Sequence, residues 1–309
     1  MNTKHQPVLY TEALQLLKLE ANDNVIDCTV GGAGHSEGIL KAIAPRGKLL
    51  GFDADPKAIK LVEKKLDQYK NRVTLINSSF SKLEYYVGRY NFKPVVAILL
   101  DLGWSTDQLV NNNRGFSYQT NGYLDLRYNS AQGRTAADIL NQETEKNLQL
   151  IFKNYADERF ALPLARAIIQ QRKKKKFDRT QDLLDVIYQI KKVKRGQLHP
   201  ATKIWQALRI AVNDEFEELR KTMPQALNVL KKHGRLAIIS FHSGEDRIIK
   251  NFIKTESRDC LCSPEVPVCR CQHQASLRLI TRKAIKPTLK EIIINPSSHS
   301  AHLRIMEKI

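Results

Sequence analysis

The sequence predicts an α/β fold: a parallel sheet interrupted by an inserted helical region. Strand-like and helix-like patterns alternate over roughly the first hundred residues, and a glycine-rich turn follows the first strand. The next hundred or so residues contain helical periods but no convincing strand. Strands separated by crossover helices favour a parallel sheet with right-handed connections.

Short apolar runs predict the strands, and apolar residues at helical spacing predict the helices. The early strands are 24–28, 48–53, 73–77 and 95–101, with helices at 35–44, 56–69 and 81–89. The insert has predicted helices at 136–139, 143–155, 158–171, 180–190 and 201–210. The final part has helices at 214–232 and 244–255, and strands at 235–241, 276–282 and 301–307. We expect the last two strands to form an antiparallel edge, with residues 1–104 and 213–309 as the sheet domain and 105–212 as the insert.

Composition favours a globular protein with a polyanionic partner. The chain has 309 residues, 42% of them hydrophobic and 27% charged, and a net charge of +18. That surplus favours nucleic acid or an anionic membrane surface, although a solvated basic face would give the same charge. The region 110–212 holds 19 Lys or Arg against 9 Asp or Glu. The sequence has neither a transmembrane-length apolar run nor a signal-peptide core, so a cytoplasmic location is the default expectation.

The turn after the first strand is a candidate ligand site. The first strand ends at Asp27, and small residues from Thr29 to Gly34 lead into a helix. Such a turn lets the backbone approach a nucleotide-like ligand at a helix N-terminus. Asp53 ends the next strand, about 20 residues on, at the spacing of a carboxylate that binds ribose hydroxyls. An ordinary βα turn is the alternative.

Motifs along nearly the whole chain resemble those of the 16S rRNA cytosine-N4 methyltransferase family. They occur in the family's order and read HQPVL (5–9), DCTVGGAGHS (27–36), DLGWS (101–105), RGFSY (114–118), LDLR (124–127), HPAT (199–202), QALRI (206–210), ISFHS (239–243), EDR (245–247) and NPSSHSA (295–301). The resemblance implies a class I Rossmann-like sheet that binds S-adenosylmethionine and carries a helical insert for RNA recognition.

The resemblance also implies a cofactor site. Ala33, Gly34 and His35 would line the methionine end and Asp53 the ribose. Phe80 would face adenine, with Asp101 and Gln108 completing the pocket; Phe80 as an ordinary core residue is equally compatible with the sequence. Independently, the segment 32–37 lacks the third glycine of a G-x-G-x-x-G motif, which disfavours a dinucleotide.

Asp101 is the candidate catalytic residue because it ends the fourth predicted strand, where a doubly wound sheet faces its ligand. The exocyclic amine of cytosine is a weak nucleophile, so catalysis needs in-line positioning and an acceptor for the amine hydrogens. Asp101 would be that acceptor or would hold the cofactor. Many amino-methyltransferases have Asp/Asn-Pro-Pro-aromatic here; Asp101-Leu-Gly-Trp differs, so that mechanism does not transfer directly.

Substrate recognition is expected mainly from the insert, since a base modified within folded RNA must be flipped out and held. The candidate residues are Arg114, Phe116, Tyr118, Asp125, Arg127, Asn213, Ser240 and His242. Lys173–Lys176 and 191–195 are candidate phosphate contacts. Packing, loop hydrogen bonds or solvated charge are the alternative explanations.

Four of the five cysteines form two Cys-x-Cys pairs, Cys260/Cys262 and Cys269/Cys271. Four thiols can take one zinc ion, but structural zinc sites usually have two to four residues between paired cysteines. We therefore expect a surface hairpin with free thiols rather than a metal, and Cys28 as a packing residue.

The sequence thus predicts an S-adenosylmethionine-dependent methyltransferase acting on N4 of a decoding-site cytidine in 16S rRNA of the small ribosomal subunit. Two other classes remain open: a non-catalytic, nucleotide-sensing RNA-binding protein on the same fold, and an NAD-dependent oxidoreductase. No membrane partner is expected, and a homodimer is an open expectation.

Overall fold

A computed structural model describes residues 7–103, 113–193, 196–263, 265–266 and 268–309. Contacts divide the chain into two compact units, residues 1–104 with 217–309 and residues 105–216. The carboxyl boundary of the second unit lies inside a helix, a few residues beyond the position expected from the sequence. No helix among the described residues is long and apolar enough to cross a membrane.

The first unit alternates strands and helices before the insert. In chain order these are α1 (Tyr10–Leu17), β1 (Asn24–Asp27), α2 (Gly34–Ala42), β2 (Lys48–Asp53), α3 (Pro56–Lys65), β3 (Val73–Asn77), α4 (Leu83–Arg89) and β4 (Val95–Asp101). Short 3-10 helices, Asp67–Arg72 and Phe80–Lys82, flank β3.

The second unit is helical, as predicted, within its described residues. It contains α5 (Ala136–Gln142), α6 (Glu145–Ala156), α7 (Ala161–Lys174), α8 (Thr180–Ile190) and α9 (Pro200–Asn213). Apolar residues of these helices share one core with Phe116, Leu124 and Leu126. The unit therefore has a hydrophobic core of its own.

The chain continues after the insert with three helices and the last three strands of the sheet. In chain order these are α10 (Glu215–Val229), β5 (Leu230–Ser240), α11 (Ser243–Glu256), β6 (Leu277–Leu279), α12 (Leu289–Ile294) and β7 (His302–Lys308). A 3-10 helix, Pro296–Ser300, precedes β7. The prediction differs in three places: α1 was not predicted, the helix from 214 ends at Val229 instead of 232, and α12 lies between the last two predicted strands, where no helix was expected. Strand β5 begins at Leu230, and the next three residues, Lys231, Lys232 and His233, are exposed. Because these residues are polar, the sequence shows no apolar strand pattern there.

The seven strands form one sheet in the order β3-β2-β1-β4-β5-β7-β6. Strands β1 to β5 pair in parallel, whereas β7 runs antiparallel between β5 and β6. The residues from Ala97 to Leu100 are fully buried in succession, so both faces of β4 are covered, as parallel strands require. This topology confirms the predicted Rossmann-like α/β fold.

The register places the candidate carboxylates at one edge of the sheet. Asp27 pairs with Gly51 of β2 and with Leu99 of β4. Asp53 and Asp101 therefore extend two residues beyond Asp27 on the neighbouring strands. Because the carboxyl ends of parallel strands meet at the same edge, this edge is where a ligand binds in such folds.

Candidate functional site

The turn between β1 and α2 is held by a buried carboxylate. Asp27 accepts hydrogen bonds from the Ser36 hydroxyl at 2.6 Å and from the Thr29 N–H at 3.1 Å. Burial raises the pKa of Asp27, an effect that the Ser36 hydrogen bond partly offsets. Asp27 thus anchors both ends of the turn and leaves the residues between them to face a ligand.

The helix that follows begins without a side-chain cap. Its first-turn residues Gly34 and His35 follow Ala33, which adopts a left-handed conformation at φ 69°. An uncapped helix N-terminus presents backbone N–H groups and positive dipole to a carboxylate or phosphate. The structure therefore brings Ala33, Gly34 and His35 together at the expected position, at the end of the turn.

Asp53 is braced at the end of β2. Its carboxylate accepts N–H groups from Gly31 at 3.0 Å and Asp55 at 2.8 Å. Burial raises the pKa of Asp53 to about 6, although both backbone hydrogen bonds act to lower it. The carboxylate is fixed against the glycine turn and keeps lone pairs for a further donor.

Asp101 and His35 form a charged pair at this edge. The two side chains are 3.4 Å apart, Nδ1 to Oδ2, and are 23% and 6% exposed for Asp101 and His35 respectively. Burial lowers the pKa of His35, but the hydrogen bond and charge of Asp101 outweigh it, so the pKa is raised overall. Asp101 Oδ1 and His35 Nε2 are buried and have no partner with hydrogen-bond geometry among the described residues, although the Val8 backbone also helps to raise the pKa of His35.

Buried polar atoms are nearly always hydrogen-bonded. The two atoms can therefore be used to ask which ligand would fit here. A ligand carrying a cationic amine or an amine hydrogen would satisfy Asp101 Oδ1. His35 Nε2 is suited to a polar group of the same ligand. The residues present thus fit a polar, partly cationic ligand such as S-adenosylmethionine.

Two residues important for the site were not predicted. Thr29 Oγ1 accepts the Asp101 N–H at 2.7 Å and so joins the turn to β4. Tyr10 packs against His35 in a tilted arrangement, with the ring centroids 5.9 Å apart and the ring planes at 31°. Neither role has a sequence signal, because both contacts join segments that are distant in the chain.

Phe80 and Gln108 complete the expected cofactor set. Phe80 begins a 3-10 helix just after β3 and is half-buried, which is compatible with either packing or adenine stacking. Gln108 lies outside the described residues. Their assignment stays a prediction.

Several expected substrate residues cluster within the second unit. Arg114 donates to the carbonyl oxygens of Arg127 and Tyr128 and lies 5.4 Å over the Phe116 ring. Phe116 is only 1% exposed and stacks on Tyr128. In this arrangement Phe116 packs in the core, which is the alternative role considered for it, rather than offering an open ring face to a base.

The LDLR segment, residues 124–127, alternates buried leucines with polar side chains and has an unusual backbone. Arg127 pairs with Asp125 through Nε at 2.6 Å and Nη2 at 3.1 Å. Between them Leu126 has φ 61°, a conformation that costs free energy for a branched side chain. Asn213 holds it there, since its amide donates to Leu126 O at 2.8 Å and its oxygen accepts the Tyr128 N–H at 2.8 Å.

The remaining candidates have structural contacts of their own. In the first unit, His242 caps α11 and lies 3.1 Å from Glu245, and Ser240 is buried. In the second unit, Tyr118 stacks on His199 with a 4.7 Å centroid distance. These residues are positioned by their neighbours, and substrate contact by them stays a prediction.

The basic runs differ in how much charge they leave exposed. Lys175 binds Asp182 at 2.6 Å, whereas Lys173, Lys174 and Lys176 are exposed without an ion pair among the described residues. Lys191 binds Glu158 at 2.6 Å, and 194–195 lie outside the described residues.

The glycine turn generates a stability prediction. A Cβ on Gly34 would lie 2.2 Å from Cγ of the rigid Pro7 ring, whereas a Cβ on Gly32 would have no atom within 4 Å. We expect Gly34→Ala to reduce the free energy of unfolding by about 1–3 kcal/mol through overpacking. Gly32→Ala is the matched control and should cost much less. Urea unfolding of both variants measures this, and equal losses would contradict it.

Comparison with known proteins identifies the family. Residues 2–309 match the sequence profile of the MraW methylase family. The ribosomal RNA small subunit methyltransferase H of Heliobacterium mobile is 42% identical over 312 residues, covering 100% of both chains. The protein of that name from Thermomicrobium roseum is 41% identical over 309 residues, covering 100% of this chain and 95% of the relative. A solved rRNA methylase from Streptococcus thermophilus aligns with a TM-score of 0.44 at 12% identity, over 96% of this chain and 93% of that one. With its whole length matched by the profile and by relatives above 40% identity, the chain belongs to the MraW methylase family.

Proposed function

We propose that this protein uses S-adenosylmethionine to methylate N4 of a decoding-site cytidine in the rRNA of the small ribosomal subunit. The observation that carries the proposal is the edge formed by Asp53, Asp101 and His35 around the glycine turn, with two buried polar atoms left for a ligand. Family membership supports the reaction class, and relatives that span the chain are named as small-subunit rRNA methyltransferases.

The cofactor would be held at three points. Asp53 would accept the ribose hydroxyls, and the uncapped N-terminus of α2 would face the carboxylate of the methionine moiety. Asp101 would lie near the methionine end. The bound cofactor supplies a sulfonium methyl that is already activated for transfer.

The protein then has to position the amine and remove one proton. Transfer of the methyl from sulfur to N4 would leave the amine nitrogen with one proton to lose, and a residue of the protein would have to accept it. Asp101 Oδ1, which has no partner among the described residues, would accept an amine hydrogen, and His35 beside it would orient the carboxylate. The alternative role for Asp101 is to bind the cofactor, and this role predicts a change in cofactor affinity.

Recognition of RNA is assigned to the second unit. Its exposed basic side chains would contact phosphates, and Asp125 and Arg127 would present polar groups to the flipped base or its neighbours. Arg114 and Asn213 would act by fixing that loop, since their polar groups bind its backbone. A cytoplasmic location and the absence of a membrane partner remain expectations.

Two other functions make different predictions. A non-catalytic RNA-binding protein would bind S-adenosylmethionine and RNA without transferring methyl. An NAD-dependent oxidoreductase would bind NAD. Calorimetry with both ligands, followed by transfer of labelled methyl to undermethylated small subunits and mapping of the modified base, separates the three.

Substitution of Asp101 tests the catalytic assignment. We expect Asp101→Ala and Asp101→Asn to lower kcat for methyl transfer by about 10²–10⁴-fold, the usual contribution of a positioned acid or base. If Asp101 acts on the amine, the Kd for S-adenosylmethionine should change little; a cofactor-holding role would raise Kd instead. Transfer equal to that of the unmodified protein would refute a role for Asp101 in the site.

The raised pKa of Asp53 predicts that the affinity for the cofactor depends on pH. Its pKa of about 6 means that the carboxylate form, which accepts ribose hydroxyls, is depleted as the pH falls below 6. Affinity for S-adenosylmethionine should therefore be level above about pH 7 and fall up to tenfold per pH unit below 6. Calorimetry from pH 5 to 8 measures the effect.

The matched control is Asp53→Asn, which keeps the side-chain size but does not titrate. It should bind more weakly and lose this step, whereas steps from Asp27 or His35, whose pKa values are also raised, would remain. An unchanged pH profile in Asp53→Asn would contradict the assignment.

The lysine run predicts salt-dependent RNA binding. Removing Lys173, Lys174 and Lys176 together by substitution with Gln should make the negative slope of log affinity against log salt shallower by about 2–3, because each lost phosphate contact changes its magnitude by roughly 0.7–0.9. Lys175→Gln, which removes a lysine already paired with Asp182, should change it much less. Filter binding of small-subunit rRNA at several salt concentrations provides the slopes. An unaltered slope in the triple variant would count against this surface.

A further inference from the structure

The segment between α11 and β6 is a long excursion without a core. Of its described residues from 257 to 276, none is buried. Its ends are joined: the Ser276 N–H donates to Glu256 O at 2.8 Å, and the Ala275 N–H donates to Asp259 Oδ1 at 3.2 Å. Loops of this length without their own secondary structure are uncommon in compact domains. A small unit without a hydrophobic core usually needs a disulfide or a bound metal ion to hold its structure.

Four cysteine sulfurs converge within this excursion. The Sγ atoms of Cys260, Cys262, Cys269 and Cys271 all lie within 4.8 Å of one another. Three of the separations are 3.4 Å (Cys260–Cys269), 3.6 Å (Cys269–Cys271) and 3.8 Å (Cys260–Cys271). All three exceed the roughly 2.05 Å of a disulfide. All four thiols are free in the structure.

These separations match one tetrahedral metal ion. A zinc–sulfur bond of about 2.3 Å gives a sulfur–sulfur edge of about 3.8 Å in a tetrahedron. The thiols of an iron–sulfur cluster would be farther apart, because several metal atoms would lie between them. The sulfurs therefore surround a space for a single ion.

Backbone donors around the sulfurs favour thiolates. The Leu261 N–H donates to Cys271 Sγ at 3.3 Å, the Arg270 N–H to Cys262 Sγ at 3.4 Å, and the Cys262 N–H to Cys260 Sγ at 3.4 Å. Such second contacts orient metal ligands and offset their charge. The first two also cross between the pairs, so each Cys-x-Cys segment positions the other.

We propose that Cys260, Cys262, Cys269 and Cys271 bind one zinc ion that fixes the excursion between α11 and β6. Four thiolates favour zinc over magnesium or calcium, and a site with four protein ligands and no open position is structural rather than catalytic. His273 is not needed as a ligand, since its Nε2 lies 3.0 Å from Thr255 O. This replaces the free-thiol hairpin expected from the short Cys-x-Cys spacing, because the fold supplies the geometry that spacing alone does not.

Metal analysis of the full-length protein tests the proposal. Protein purified under reducing conditions and reconstituted with zinc should hold about one zinc per chain by mass spectrometry of the metal. Cys260→Ser combined with Cys269→Ser should reduce this to near zero, whereas Cys28→Ala, which removes the buried cysteine at β1, should retain it. Cobalt substitution should give the intense visible bands of a tetrahedral thiolate site in the unmodified protein and in Cys28→Ala only.

A second measurement reports on the excursion itself and does not depend on methyl transfer. Chelation should increase proteolytic cleavage within 257–276 of the unmodified protein, while the double serine variant should already be cleaved there at the same rate with or without chelator. Less than a tenth of a zinc per chain after reconstitution would overturn the proposal. So would bound iron with a visible chromophore, or cleavage that chelation does not change.

Discussion

The site depends on the buried Asp27 carboxylate at the end of β1. It accepts the Thr29 N–H and the Ser36 hydroxyl, so one group fixes both the start of the turn and the first turn of α2. Thr29 in turn accepts the Asp101 N–H, which extends the restraint to β4. A buried charge is tolerated only when it is hydrogen-bonded, and breaking such an arrangement costs far more than its net contribution to stability. The turn is therefore rigid, and the ligand-facing groups are held before any ligand arrives.

Around this anchor the charged groups have different roles. Asp53 is braced by two backbone N–H groups, and its burial raises its pKa to about 6. Asp101 and His35 support one another while each keeps one buried polar atom for a ligand. Perturbed pKa values and unsatisfied buried atoms are typical of functional sites, because fold stability alone does not favour them. The edge thus has the features of a preorganised polar site.

The insert follows a different design. Its helices share a hydrophobic core, and polar side chains such as Asn213 are used to hold a strained loop at Leu126. Strain of this kind persists only where surrounding contacts fix it, and it is common at binding segments. The exposed lysines at the carboxyl end of α7 and just beyond it lie on the surface of this unit. A hydrophobic core and a charged surface are both compatible with the RNA contact proposed for this unit.

Local periodicity and contiguous motifs were sufficient to predict most of the strand and helix order, the glycine turn, the carboxylates that end the strands and the family resemblance. The prediction failed at α1, at the polar start of β5 and at the short α12. The packing of Phe116 against Tyr128, the support of Asp101 by Thr29 and the convergence of four cysteine sulfurs are known only from the folded chain. Those facts depend on contacts between distant segments, and neither residue type nor spacing specifies which distant segments come within bonding distance.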